Sequence, residues 1–452
     1  MTKPKRVYIE TYGCQMNLSD TELMFGVLAA HGYEPTDRPE EADVVLVNTC
    51  AIRDHAEQRV LGRVGQLQAL RRHNPKVIIG VTGCMAQRMG EDLLRRSGGV
   101  DLVVGPDGYR SLPERIEEVR LGRRPSATGR PRGGLAVLDF DPFENYEGIV
   151  PRRTTPYTAW VPIQRGCNHR CTFCIVPYVR GPEKNRAPER ILEEVRRLVA
   201  EGVVEVTLLG QTVNSYRYGD WDFPRLLRAV ARVEGLRRVR FTSPHPNDFT
   251  RELAAVMAEE PTVCKQLHLP LQAGHDRTLK RMLRRYTVAE YKEKVAWARE
   301  AMPDLALSTD IIVAFPGETE EEFEATVALL EEIRFDDAFL YKYSPRPGTP
   351  TTRLPRDQWI APEEAQRRLE RVIEVQRRIQ LERFRGRLGQ VAEVLVEGEG
   401  KRGGLQGRTD GNFVVIFPGP TELVGRFVRV RLMETSGATF RGELVEASAR
   451  AA

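Results

Sequence analysis

The sequence predicts an α/β chain in three parts. An N-terminal parallel-sheet α/β domain is expected over residues 4–119, a central incomplete barrel of about six β/α units over 155–385, and a small all-β barrel over 386–448. Two observations carry this reading. Short β-branched runs alternate with helical stretches as far as residue 385, and the tail then switches to alternating strands between Gly-rich turns. At 452 residues the chain also exceeds one ordinary core, so several domains are expected.

In the first part the strand candidates are Val7 to Ile9, Val44 to Val47, Val77 to Ile79 and Leu102 to Val104. Residues 120–154 are read as a linker, because Leu121 to Gly134 is rich in Gly, Pro and Arg and has no periodicity. The central strands are expected at Ala159 to Ile163, Val204 to Leu209, Val239 to Thr242, Gln266 to Leu269, Leu305 to Ser308 and Ala338 to Tyr341. Helical patterns such as Pro188 to Ala200 and Glu320 to Ile333 separate them, and a basic helix from Pro362 to Arg387 leads out. In the tail, Val391 to Val396, Phe413 to Phe417 and Phe427 to Leu432 alternate as half-buried strands do. There is no internal repeat and no low-complexity tract.

Net charge is +5, from 68 basic and 63 acidic residues, which permits a nucleic-acid partner without arguing for one. No stretch reaches the apolar length of a membrane span. The N-terminus passes straight into a strand with no apolar signal core, so the expected compartment is the cytoplasm. Seven cysteines in a reducing compartment, one of them left over in any pairing, point to ligands or catalysts before disulfides.

Cys167, Cys171 and Cys174 place three thiols within one short loop just after the first central strand. Such a group suits a soft metal or an iron-sulfur cluster. Structural zinc is the alternative, but no second Cys pair or His pair follows at matching spacing. A cluster with three protein thiolates leaves one iron open for substrate. His169, inside the loop, is read as a contact to solvent or RNA. Cys14, Cys50 and Cys84 are far apart in sequence, yet each closely follows a strand candidate. In a parallel sheet the carboxyl ends share one edge, so a second three-thiolate site is expected if those strands are neighbours. The alternative is three unrelated small core residues. Cys264 is read as a core residue.

The CxxxCxxC loop resembles that of the radical S-adenosylmethionine enzymes, and the whole chain resembles the methylthiotransferases, which join a cluster domain, a radical domain and a TRAM domain. The matching stretches are Thr11 to Asn17, Asn48 to Arg53, Gly83 to Ala86, Gly166 to Tyr178 with Arg180 and Gly181, Leu208 to Gln211 with Val213 to Tyr216, His268 to Gln272, Ser308 to Asp310, and Tyr343 to Pro350. Four residues depart from the family pattern: Thr212 where Asn is expected, Pro182 where Arg is, Ala273 where Ser is and Ala314 where Gly is. None removes a thiol.

The resemblance implies two 4Fe-4S clusters, with S-adenosylmethionine as methyl donor and radical source. The open iron of the Cys167, Cys171 and Cys174 cluster would bind the cofactor, and one electron would split it to a 5'-deoxyadenosyl radical. Phe173 would pack on the adenine, unless it is a plain core aromatic. Gly210 and Gln211 would receive the methionine amino group. Gln272, Ser308 and Asp310, at other strand ends, would line the pocket, although Ser308 and Asp310 equally suit cap or loop positions. The Cys14, Cys50 and Cys84 cluster would carry the sulfur.

The implied product is a methylthio group on C2 of N6-isopentenyladenosine beside the tRNA anticodon. That carbon bears no acidic proton, so a radical is needed. The same chemistry on threonylcarbamoyladenosine, or on an aspartate of a ribosomal protein, is the nearest alternative. The stretches Gln15 to Asn17 and Cys174 to Pro177 favour the first. A zinc-containing RNA-binding protein is the non-enzymatic alternative. The implied partners are tRNA, an external electron donor and a sulfur source, with no membrane and a monomeric chain. RNA binding is assigned to the TRAM-like tail and to Arg367 to Arg387, with Phe413 either stacking a base or filling the barrel core.

Overall fold

Six parallel strands in the order β2-β1-β3-β4-β5-β6 build the N-terminal sheet of the computed structural model, which describes residues 4–51, 54–96, 99–122, 134–401 and 403–447. They are β1 (Lys5–Thr11), β2 (Tyr33–Pro35), β3 (Val44–Thr49), β4 (Ile78–Gly83), β5 (Leu102–Val104) and β6 (Leu135–Val137). Every residue of β3 and β4 is buried, as expected of strands covered on both faces. Alternate side chains feed two cores. Val44 and Leu46 join Leu23, Leu28 and Ile116 on one face, whereas Val45 and Val47 join Val60, Val64 and Leu93 on the other.

Two short strands of this sheet, β2 and β6, were not anticipated. Each has three residues and pairs along one side only. Strand β6 lies within the stretch read as a linker, whose residues 123–133 fall outside the described ones.

The described chain divides into two units. The first comprises Met1–Thr154, Gln164–Arg186 and Arg346–Thr349, and the second Thr155–Ile163, Ala187–Pro345 and Pro350–Ala452. In the first unit the loop of Cys167, Cys171 and Cys174 runs between the paired segments Gln164–Arg165 and Lys184–Asn185 and ends in the helix Val176–Arg180.

In the second unit two three-stranded parallel sheets make the incomplete barrel. Thr158–Pro162, Glu205–Leu209 and Arg238–Phe241 form one, with Glu205–Leu209 central. Gln266–His268, Ala306–Val313 and Asp337–Lys342 form the other, with Ala306–Val313 central. A single parallel bridge, Val239 to Val263, leads from the first to the second. Among the described residues no pairing returns from Asp337–Lys342 to Thr158–Pro162, so the six strands form an open barrel.

The helices Pro188–Ala200 and Glu320–Ile333 occur where expected. Pro188 opens one of them, where a missing N–H costs nothing. Thr319 and Glu322 close a reciprocal capping box at the start of the other.

Val391–Glu399, Leu405–Thr409, Val414–Phe417, Phe427–Thr435 and Phe440–Ala447 close a small barrel. Within the same unit Arg238 donates to the carbonyls of Arg408 at 3.0 Å and Glu393 at 2.8 Å, and Arg240 to those of Thr409 at 2.7 Å and Asp410 at 2.8 Å. Cys264 is 2% exposed beside Arg240, in the core position read from the sequence.

Candidate active site

Strands β1, β3 and β4 are immediate neighbours, and their registers bring their carboxyl ends level: Thr11 pairs with Asn48, and Thr49 with Gly83. The next residues along each strand lead into Cys14, Cys50 and Cys84. Those three thiols therefore emerge on adjacent loops at one sheet edge, the edge where such sheets bind ligands. None of the seven cysteines is in a disulfide.

Cys14 caps the helix Gln15–Ala29. Its backbone N–H donates to Asn17 Oδ1 at 3.3 Å, and its sulfur stands 3.6 Å from the same oxygen. Asn17 then reaches across, donating to the Thr49 carbonyl at 3.2 Å and to Asn48 Oδ1 at 3.3 Å, while Asn48 donates back to the Asn17 carbonyl at 2.8 Å. The loop that carries Cys14 is thus tied to the strand end that carries Cys50. At Gly13, φ is +148° and a Cβ would come within 2.9 Å of Cys50 Cβ, so no side chain fits between the loops.

Cys84 opens the helix Cys84–Met89 and packs with Ala51, Ile175 and Val179. Arg180 Nε donates to its sulfur at 3.0 Å. Burial pushes the Cys84 thiol up, the Arg180 charge pulls it down, and the charges of Asp20 and Cys14 push it up again.

Cys167, Cys171 and Cys174 share one loop. Gly166, at φ +76°, would drive a Cβ to 1.9 Å from the Pro182 carbonyl, so only glycine lets the Cys167 N–H reach the Gly181 carbonyl at 3.1 Å. A second turn brings the Cys174 N–H to the Cys171 carbonyl at 3.0 Å. Cys171 is buried, Cys167 and Cys174 are partly open, and Phe173 between them is half-buried. Three thiols on a tight loop, with two sulfur-bearing residues still accessible, fit a cluster that leaves one iron to substrate.

The remaining expected site residues lie in the second unit, and two of them are not at strand ends as expected: Ser308 and Asp310 lie within Ala306–Val313, which runs on past Ser308. Gly210 and Gln211 follow Glu205–Leu209, and Gln272 lies beside Ala306–Val313. Gln272 adopts φ +74°, takes the Asp310 carbonyl on its N–H at 2.8 Å and is bridged to Ile311. Its side-chain oxygen is buried without a protein partner, as is that of Gln211. Buried polar atoms are seldom left unpaired, so two such oxygens fit a ligand rich in donors, such as the ammonium group of an amino acid.

Ser308 and Asp310 are strand residues, not helix caps, and His268 joins them. Its Nδ1 lies 3.0 Å from Ser308 Oγ, its Nε2 3.3 Å from Asp310 Oδ2, and Phe339 stands edge-on to its ring. His268, Arg180, Asp20 and Asn17 carry geometry to which the sequence reading gave no role. The three-residue spacing of Cys14 and Asn17 was a usable signal, being that of a capping box. No local signal marks Asp20; Arg180 stands in a stretch that matches the family pattern but was given no role, and the two meet across 160 positions.

The groups read as RNA contacts find partners within their own unit. Phe413 packs edge-on against Phe384 and Phe440 at 5.1 and 5.9 Å, the barrel-core alternative. In the helix Pro362–Arg385, Arg367 pairs with Glu364 and Glu320, Arg368 with Glu318 and Glu320, and Arg383 with Asp336. Much of that basic stretch neutralises acids of its own unit.

The chain matches three family models: the radical SAM superfamily over 161–330, the uncharacterized protein family UPF0004 over 6–105, and the TRAM domain over 385–445. Fold, cysteine loop and domain matches together define a radical S-adenosylmethionine enzyme with a TRAM domain, and the radical SAM fold implies S-adenosylmethionine and a 4Fe-4S cluster.

Full-length relatives narrow the class. The tRNA-2-methylthio-N(6)-dimethylallyladenosine synthase of Porphyromonas gingivalis is 45% identical over 98% of this chain and 95% of its own length. That of Moorella thermoacetica is 44% identical over 99% and 100%, and that of a Sulfurihydrogenibium species 41% over 97% and 99%. The chain belongs to the tRNA-2-methylthio-N(6)-dimethylallyladenosine synthase family.

Among solved structures, the radical S-adenosylmethionine methyltransferase TsrM of Kitasatospora setae superposes with a TM-score of 0.61 at 17% identity, over 77% of each chain. The cobalamin-dependent radical enzyme OxsB gives 0.55 at 11% identity, over 82% of this chain and 56% of its own. These two likenesses speak to fold alone. No helix among the described residues is long and apolar enough to cross a membrane.

Proposed function

We propose that this enzyme adds a methylthio group to C2 of N6-isopentenyladenosine in tRNA, the modification for which its relatives are named, and that this nucleoside stands beside the anticodon. Cys167, Cys171 and Cys174 hold one 4Fe-4S cluster, and Cys14, Cys50 and Cys84 hold a second. When bound, the clusters and S-adenosylmethionine supply the one-electron chemistry that opens a carbon-hydrogen bond too inert for acid or base. The protein's own residues bind and orient. Gln211 and Gln272 offer buried amide oxygens to the cofactor's ammonium group. His268 fixes Ser308 and Asp310 at the pocket rim, and Phe173 packs on the adenine.

The TRAM barrel and the remaining basic surface take the tRNA. The enzyme works in the cytoplasm as a monomer, with electrons from an external donor and sulfur from an external source.

The sulfur-inserting half of this reading is supported above all by the adjacency of β1, β3 and β4, which carries Cys14, Cys50 and Cys84 onto neighbouring loops. Three unrelated core cysteines have no reason to follow three adjacent strands at one edge. Replacing Cys14 with Ala tests it. Cleavage of S-adenosylmethionine to 5'-deoxyadenosine should persist while methylthiolated tRNA disappears. Undiminished sulfur insertion would remove Cys14 from the mechanism.

A further inference from the structure

A buried charge pair in the first unit touches one cysteine group and grows out of the loop of the other, and the reading above gives it no work. Arg180 ends the helix Val176–Arg180, which opens just after Cys174. Asp20 lies on the helix Gln15–Ala29, whose cap is Cys14. Both side chains are 2% exposed.

Arg180 Nη2 donates to Asp20 Oδ2 at 2.5 Å and Nη1 to Asp20 Oδ1 at 3.3 Å, a two-pronged contact that fixes the plane of the guanidinium. The third edge, Nε–H, then points at Cys84 Sγ at 3.0 Å. The Tyr109 hydroxyl donates to Asp20 Oδ2 at 3.4 Å and steadies the carboxylate from behind. A pair serving stability alone needs only the two contacts to Asp20, and buried pairs of that kind are poor stabilisers. The contact to sulfur calls for another reason.

Hydrogen bonds to the thiolates of an iron-sulfur cluster draw electron density off sulfur and raise the reduction potential, and outer groups of this kind tune metal sites generally. We propose that Arg180 is a positioning residue which, held by Asp20, donates to the Cys84 thiolate and raises the potential of the cluster held by Cys14, Cys50 and Cys84. The same residue makes the loop of the radical-generating cysteines a support for the second cluster. The proposal rests on Cys14, Cys50 and Cys84 being ligands.

The test uses the full chain carrying Cys167→Ala, Cys171→Ala and Cys174→Ala, so that only the second cluster contributes. After anaerobic reconstitution, iron content and the midpoint potential, read by electron paramagnetic resonance during a redox titration, are measured with and without Asp20→Asn/Arg180→Gln. That double change removes both charges together and leaves no buried charge alone. About four irons per chain are expected in both proteins. The midpoint should move negative in the variant by the order of a tenfold change in the reduction equilibrium, about 59 mV for one electron. Arg180→Lys, which keeps the charge without the fork, should recover part of the shift.

A full iron complement with an unmoved potential overturns the role of Arg180 and leaves the second cluster standing. No iron in the parent with three cysteines replaced overturns the two-cluster reading, and this proposal with it.

Discussion

Arg180 and Asp20 meet at 2.5 Å, each withdrawn from solvent, across 160 positions of the chain. Their contact joins the helix that Cys14 caps to the helix that follows Cys174.

Arg180→Ala would leave the Asp20 carboxylate buried with no counter-charge. The expected loss is about 3–5 kcal/mol of unfolding free energy. Asp20→Asn/Arg180→Gln should recover most of it, because both charges leave together. Denaturant unfolding of the three proteins checks this; a double variant no better than Arg180→Ala would show that the side chains matter by shape and not by charge.

Asn17 acts on two cysteine loops at once, through Cys14 on one side and Thr49 and Asn48 on the other. Asn17→Ala should cost about 1–3 kcal/mol for the buried groups left unpaired. It should also halve the iron retained after reconstitution, by loosening one of two sites. Iron content equal to wild type would mean that the loops hold their positions without it.

Ala314 occupies φ +57°, where the family pattern has glycine, and its N–H donates to Glu318 Oε2 at 2.6 Å. A left-handed conformation costs an L-residue about 1–2 kcal/mol, whereas glycine gives back about 0.5–1 kcal/mol in the unfolded chain. Ala314→Gly should therefore stabilise the protein by about 0.5–1 kcal/mol, seen as a higher midpoint in thermal or denaturant unfolding. A lower midpoint would show that the bond to Glu318 already relieves the strain.

His268→Ala would release Ser308 and Asp310 from their shared partner. Each such bond is worth about 0.5–1.5 kcal/mol, so binding of S-adenosylmethionine to the reconstituted enzyme should weaken by about two- to tenfold with iron content unchanged. Calorimetric titration measures it, and equal affinity would move His268 out of the cofactor pocket.

The long regular elements were legible because their periodicity is local: Pro188–Ala200 and Glu320–Ile333 match from end to end. The short strands were not. Leu405–Thr409 has a glycine at its centre, and β2 and β6 are too brief for alternation to register. At the candidate site, the shared loop of Cys167, Cys171 and Cys174 was legible from spacing, and the convergence of Cys14, Cys50 and Cys84 on one sheet edge from the strands ahead of them. Their supports were hidden, since Asp20 with Arg180 and His268 with Asp310 are brought together only by the fold. The basic helix misled for the same reason: the acids that neutralise Arg368 and Arg383 lie on other elements.

The most direct measurement is iron and acid-labile sulfide per chain after anaerobic reconstitution, in the wild type and in the chain carrying Cys14→Ala, Cys50→Ala and Cys84→Ala, with Cys264→Ala as control. Two three-thiolate 4Fe-4S sites require about eight irons falling to about four, and no change in the control. An iron content that is the same in the wild type and the three-cysteine variant, or zinc in place of iron, would contradict the two-cluster account.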